Sequence, residues 1–191
     1  MESLISYLKT NFSISNQTLE KVKECFKYEE IKKGDFFIRQ GRIADKIAFV
    51  ESGVIRIFAE SEEKEVTQWI STPGYFITEL SSFVFEKPAR LSFQSLEDTI
   101  LYSIDKKNHS ELCLQFADWN ETDKKFIAKC FVMLEDRIFG HLYMTAEERF
   151  IQLMNTQPGL FNKVPLQYLA SMLGMTPETL SRMRKKAGFK T

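Results

Sequence analysis

At 191 residues with 43% apolar side chains, seventeen Phe among them, the chain is long and apolar enough for one large domain plus a small one, which excludes a disordered polymer. Its 26 basic and 26 acidic residues cancel, so a charge-driven partner has to be met by a local patch. Cys25, Cys113 and Cys130 are odd in number and widely spaced, excluding a disulfide framework and a four-thiolate metal site. No apolar run approaches the roughly 18 residues that cross a bilayer, and no secretory leader is visible. A cytoplasmic, reducing setting is expected, with no membrane partner.

Helical spacing runs from about residue 2 to 28, with Leu4, Ile5 and Leu8, then Leu19, Val22 and Phe26; Ser15 or Asn16 is the cap candidate for the second piece. From about Ile31 to Ile104 short β-rich runs follow. They include Phe36–Ile38, Ile47–Val50, Val54–Phe58, Val66–Ile70, Phe93–Leu96 and Thr99–Ile104, broken at Gly34, Gly41, Gly53 and Gly74. Many short strands at this spacing predict a barrel or sandwich.

Asn120 or Thr122 opens a long helix that runs to about Tyr143. Ile127, Phe131, Leu134, Ile138 and His141 alternate by four and three, the seam along which two helices pair. Phe126, Cys130 and Met133 form a second stripe beside it. Two stripes need two covers: the β domain and a second copy of the chain, or else the core of a monomer. Thr145-Ala-Glu-Glu148 is a capping-box signal for a helix with Phe150, Leu153 and Met154 on one face, and Pro158-Gly159 ends it.

The stretch from Leu166 to Lys186 reads as a helix-turn-helix. Leu169, Met172 and Leu173 form an apolar face, Ala170 leaves room for a crossing helix, and Gly174 supplies the turn. Thr176 is the N-cap of the second helix, at about 176–187, with Pro177 at its first position and Glu178 at the positive end of the dipole. Leu180 and Met183 pack it back. Glu178, Thr179, Ser181, Arg182 and Lys185 are left facing outward, as a groove-reading helix requires. From Lys163 to Thr191, six basic residues (Lys163, Arg182, Arg184, Lys185, Lys186, Lys190) face one acid, Glu178, so this end carries +5 and the remainder −5. Double-stranded DNA is the partner such a module suits. An ordinary two-helix corner with a solvated basic tail is the competing reading.

Taken together, these elements resemble the cyclic-AMP receptor and fumarate–nitrate regulator (Crp–Fnr) family of transcription factors over nearly the whole chain. Ile31-Lys-Lys-Gly34, Gly41 and Phe49–Arg56 look like its β-roll. Thr78-Glu79-Leu80 and Pro88-Ala-Arg90 look like its phosphate-binding cassette, Thr145–Arg149 like the helix that introduces the DNA-binding domain, and Gly174–Arg182 like the turn and recognition helix. The resemblance implies an α+β fold: a jelly-roll-like β-roll with N-terminal helices over 1–118, a dimerisation helix over 119–144, and a helix-turn-helix domain over 145–191. It implies a homodimer reading a roughly palindromic site, with RNA polymerase as a further partner.

In that family a cassette Glu accepts a ribose hydroxyl and an Arg pairs with the cyclic phosphate; Glu79 and Arg90 stand at those places, with Leu80 and Leu91 beside them. Thr78 replaces the family Gly and Leu91 the small residue after the Arg, and bulk there hinders backbone approach to a phosphate. The polar adenine-contacting places fall near Leu134 and Glu135, without the family's hydroxyl pair. Two readings stand: a cyclic-nucleotide pocket, retained, repurposed or empty, or else a plain Glu79–Arg90 salt bridge or two unrelated surface charges. Of the recognition-helix residues, Arg182 suits guanine O6 and N7, and Glu178 suits cytosine N4 or orients the Arg. Thr176, Thr179 and Ser181 suit phosphate or base edges, and Arg184, Lys185 and Lys186 add backbone affinity. No β-hairpin wing is expected near Lys190.

An N-terminal iron–sulfur cluster lacks its thiolates, and haem has only His109 and His141 to draw on. A cupin-like metal enzyme lacks a histidine cluster, and no P-loop or nucleophile elbow is present. An enzyme is therefore not expected. A protein-interaction module on the same fold is the alternative to a DNA reader.

Overall fold

In the computed structural model, which describes residues 1–188, helices α1 (Glu2–Asn11) and α2 (Asn16–Cys25) precede eight strands. Ser15 caps α2 by accepting from the Thr18 amide. The strands are β1 (Lys27–Ile31), β2 (Phe36–Ile38), β3 (Lys46–Ser52), β4 (Ile55–Glu60), β5 (Glu65–Ser71), β6 (Phe76–Ile77), β7 (Ser92–Ser95) and β8 (Thr99–Asp105). They form two four-stranded antiparallel sheets, β1-β8-β3-β6 and β2-β7-β4-β5, packed face to face. The expected α+β architecture, with an N-terminal β-roll, a long helix and C-terminal helices, is the one observed.

β3 shows why its sequence is an unbroken apolar run. Ala48 and Val50 face the opposite sheet with Ile55, Ile57 and Leu101, whereas Ile47 and Phe49 face outward onto α1 and α2. A strand covered on both faces has no polar side. The outer cluster also takes in Leu4, Leu8, Val22, Phe26 and Trp119, which fixes the N-terminal helices to the root of the long helix.

Four elements depart from the sequence reading. Lys27 and Tyr28, placed at the end of a helical stretch, belong to β1, because each pairs with β8. Two further helices stand where none was expected, α3 (Leu80–Phe85) after β6 and α4 (Lys106–Gln115) after β8. The first is too short and too apolar to show a period. The long helix, α5, spans Ala117–Tyr143, starting ahead of Asn120. Its first turn is anchored by Asp118, whose carboxylate accepts from the Thr18 hydroxyl at 2.7 Å and the Ser15 amide at 2.8 Å.

Thr145 and Glu148 make the expected capping box at the start of α6 (Ala146–Thr156). A single-turn helix, α7 (Leu160–Lys163), leads into α8 (Leu166–Leu173) and α9 (Pro177–Lys186). Lys190 and the place of any wing lie outside the described residues. Among the described residues, no helix is long and apolar enough to cross a membrane.

Candidate nucleic-acid interface and effector cavity

The α8–α9 corner is built by its caps. Gly174, at φ +67°, ends α8 with its amide on the Ser171 carbonyl, and the Met175 amide reaches back to Ala170. Thr176 then caps α9 by accepting from the Thr179 amide at 3.3 Å, and Pro177 takes the first turn. Leu180 is fully buried among Leu169, Ala170 and Leu173, a burial worth roughly 1.5–3 kcal/mol. That contact fixes which way α9 faces. Glu178, Arg182, Lys185 and Lys186 are exposed, and Thr179 and Ser181 are half-buried. Glu178, Ser181, Arg182 and Lys185 share one shallow open groove with Leu166 and Pro177. Its own backbone amide and the Thr176 hydroxyl hold the Glu178 carboxyl below the usual carboxylate range, so it is ionised. Lys186 lies 3.3 Å from Glu147.

Arg184 does not join this face. It is half-buried, with its guanidinium 5.8 Å from the centre of the Phe161 ring. Its stem and head pack against the domain core, which removes it from the cationic surface expected of it.

Sequence reasoning missed how this corner is held to the rest of the chain. The Arg56 guanidinium lies between the rings of Phe58 (3.9 Å) and Tyr168 (3.7 Å), and it donates to the Thr67 hydroxyl and the Glu65 carboxylate. The Thr67 amide donates to Ser171 Oγ at 2.9 Å, which ties α8 to β5. Arg137 of α5 donates to the Met172 carbonyl at 3.0 Å, and Arg149 of α6 donates to Leu173 at 2.9 Å and to Met144 at 2.6 Å. These cations meet the carbonyl end of α8, where its dipole is negative. Burial pushes the Arg137 guanidinium down from its ordinary value. The sequence carried one signal for Arg137: a lone cation four residues after Met133, on the stripe that faces the β domain.

On the expected pairing seam, Ile127, Phe131, Leu134 and Ile138 are all exposed, joined by Phe139, Leu142 and Tyr143. His141 is exposed as well, with its ring directed toward the α8–α9 turn. Its ring stands against Gly174, so close that a Cβ there would lie 3.2 Å from it, and burial with Arg137 and Arg149 nearby holds its imidazole below the ordinary value.

A cavity of about 460 Å³ lies between the β-roll and α5, walled by Trp69, Phe93, Phe126, Cys130, Met133 and Arg137. Glu79, Leu80, Arg90 and Leu91 also border it. The structure does bring Glu79 and Arg90 together, at 3.4 Å. Yet Glu79 is buried and caps α3, accepting from the Ser82 amide at 2.6 Å, while Arg90 is mostly in solvent at the rim. Thr78 spends its hydroxyl on the Lys46 carbonyl. One oxygen of the carboxylate that would take a ribose hydroxyl is thus held by the α3 cap, and the other faces Arg90. Elsewhere, His109, Cys113 and Asp123 form the one cluster of metal-ligand-type side chains among the described residues; the sequence, which places Asp123 on a different helix, gave no sign of it.

Residues 28–116 match the cyclic nucleotide-binding domain family. No curated protein matches the chain in sequence. Among solved structures, the chain is similar to FixK2 from Bradyrhizobium japonicum, at TM-score 0.73 and 15% identity over 85% of this chain and 84% of that one. It is similar to a transcriptional regulator from Eubacterium rectale assigned to the Crp/Fnr family, at 0.70 and 16% over 96% and 88%. It is similar too to CLP of Xanthomonas campestris, a c-di-GMP-responsive global regulator, at 0.63 and 16% over 91% and 92%.

Proposed function

From a chain that is a Crp/Fnr-type fold built on a cyclic nucleotide-binding domain, we infer that the protein is a homodimeric, DNA-binding transcription regulator. The carrying observation is α9: Leu180 locks it into the corner while Glu178, Arg182 and Lys185 stand free on one groove-facing side. Thr176, Thr179, Ser181 and Lys186 complete the contact surface as phosphate or base-edge partners. The exposed stripe of Ile127, Phe131, Leu134 and Ile138 is assigned to the partner subunit, without His141. The protein is divided as 1–118 sensor, 119–144 dimerisation helix and 145–191 DNA-binding domain, acting in the cytoplasm with RNA polymerase as a further partner.

The cavity is assigned to an effector. Arg137 lines it and also caps the carbonyl end of α8, so an occupant touches the residue that holds the DNA-binding corner. The bulk of Thr78 and Leu91, with Arg90 turned mostly into solvent, argues for an effector bound differently from a cyclic nucleotide. The test is selection of random duplexes by the purified protein at moderate salt, beside Arg182→Ala. An enriched inverted repeat is expected, with the variant losing about 1–3 kcal/mol of specific binding. Selection of no sequence, and association insensitive to salt, would point instead to a protein-interaction module.

A further inference from the structure

The His109–Cys113–Asp123 cluster joins α4 to the root of α5, away from the α9 groove and separated from the cavity by Phe76 and Phe126. His109 and Cys113 are four apart on α4 and so share a face. Cys113 Sγ lies 4.0 Å from His109 Nδ1, and Asp123 Oδ1 lies 3.0 Å from His109 Nε2. The ring is fixed between Phe83 and Trp119, both meeting it edge-on. Here each ring nitrogen has a partner, the Asp123 carboxylate on Nε2 and the Cys113 thiol near Nδ1, with donor atoms of the three side chains within 4.8 Å of one another; a carboxylate that orients an imidazole beside a thiol sets a base next to a nucleophile. We propose that Cys113 is a nucleophilic thiol, activated by His109 and Asp123, and that it is a site of reversible oxidation by hydroperoxides.

In the reaction His109 holds the thiol proton while Asp123 stabilises the resulting imidazolium. The Cys113 thiolate attacks one oxygen of hydrogen peroxide; the S–O bond forms as the O–O bond breaks. Sulfur is oxidised by two electrons to sulfenic acid, and the departing hydroxide takes the proton from His109 and leaves as water. The other two thiols differ in kind. Burial pushes Cys25 and Cys130 up from the ordinary thiol value, and neither has a basic side chain bonded to it. Cys113 is half-buried at the edge of the apolar cluster around Leu112 and Trp119, rather than sealed within it. The product sits beside Leu112 and Trp119, at the foot of the helix assigned to dimerisation. The inference stands whether or not the chain reads DNA.

The experiment treats the full chain with hydrogen peroxide, traps sulfenic acid with a cyclic dione, and follows all three cysteines by peptide mass mapping. Cys113 is expected to be trapped at least about ten-fold faster than Cys25 and Cys130, as the oriented imidazole beside it dictates. Asp123→Asn and His109→Asn are each expected to remove that advantage while leaving the slow rates of the other two unchanged, which separates activation from unfolding. Equal rates for the three thiols in the unaltered chain would overturn the proposal. So would an advantage of Cys113 that survives in both variants.

Discussion

Replacing Phe131 by Ala tests the dimer assignment through a side chain that makes little contact with its own chain. Phe131 is 61% exposed. A fully buried aromatic covers roughly 150–250 Å², so about 120 Å² of Phe131 waits to be covered. At ~25 cal/mol per Å² that is about 3 kcal/mol per copy, of which Ala retains about a third. Twofold symmetry places the residue in the interface twice, so the variant should lose about 4 kcal/mol of association, roughly a thousand-fold in Kd. Sedimentation equilibrium across a concentration series measures this directly. Helical content by circular dichroism should not change. An unaltered Kd would refute the assignment of this face, and a collapse of helicity would show that Phe131 supports its own chain.

Other outcomes follow from single contacts. Gly53, at φ +100°, is pressed onto β8, where an added Cβ would lie 2.2 Å from Thr99 Oγ1 and 2.7 Å from its Cα; Gly53→Ala should cost several kcal/mol in denaturant unfolding, well beyond an ordinary turn substitution. Burial opposes charge on His109, but the Asp123 hydrogen bond and the Cys113 contact outweigh it and raise the imidazolium from 6.5 to about 9. The folded form therefore holds this proton more tightly than the unfolded one. Its contribution is complete below about pH 6.5 and is lost as pH rises through about 9, of the order of 3 kcal/mol at most. Urea melts from pH 6 to 9.5 should fall in the native chain, and the fall should shrink in His109→Phe. Arg149→Met removes the donor to the Leu173 and Met144 carbonyls and should lower the stability of the C-terminal domain by about 1.5–3 kcal/mol, seen as faster amide exchange in α8 and α9.

The α8–α9 corner was legible because its signals are local. Gly174, Thr176, Pro177 and the buried Leu180 lie within a few residues, and each does what its chemistry dictates. The β-roll strands were legible for the same reason, since turn glycines and alternation are short-range. What stayed hidden was long-range. Nothing near Arg56 announces that Tyr168 will cover it, or that Ser171 will take the Thr67 amide. Glu79 and Arg90 were read as a pair, but not that α3 would claim the carboxylate, because α3 itself left no periodic trace. His141 kept the seam's spacing, yet at the last turn of α5 the neighbouring corner captures its ring. The start of α4 did carry a sign, the Asp105 carboxylate that caps it at the Asn108 amide.

α5 behaves as a lever with its fulcrum near Asp118. Its 27 residues span about 40 Å. Pinned at one end by the Thr18 and Ser15 contacts and loaded at the other through Arg137, a tilt of about 5° carries the far end some 3.4 Å, the rise of a single base pair. On the proposed DNA-reading role, a wedge of about 2 Å beneath Trp69 and Met133, roughly 22 Å along that arm from Asp118, supplies such a tilt.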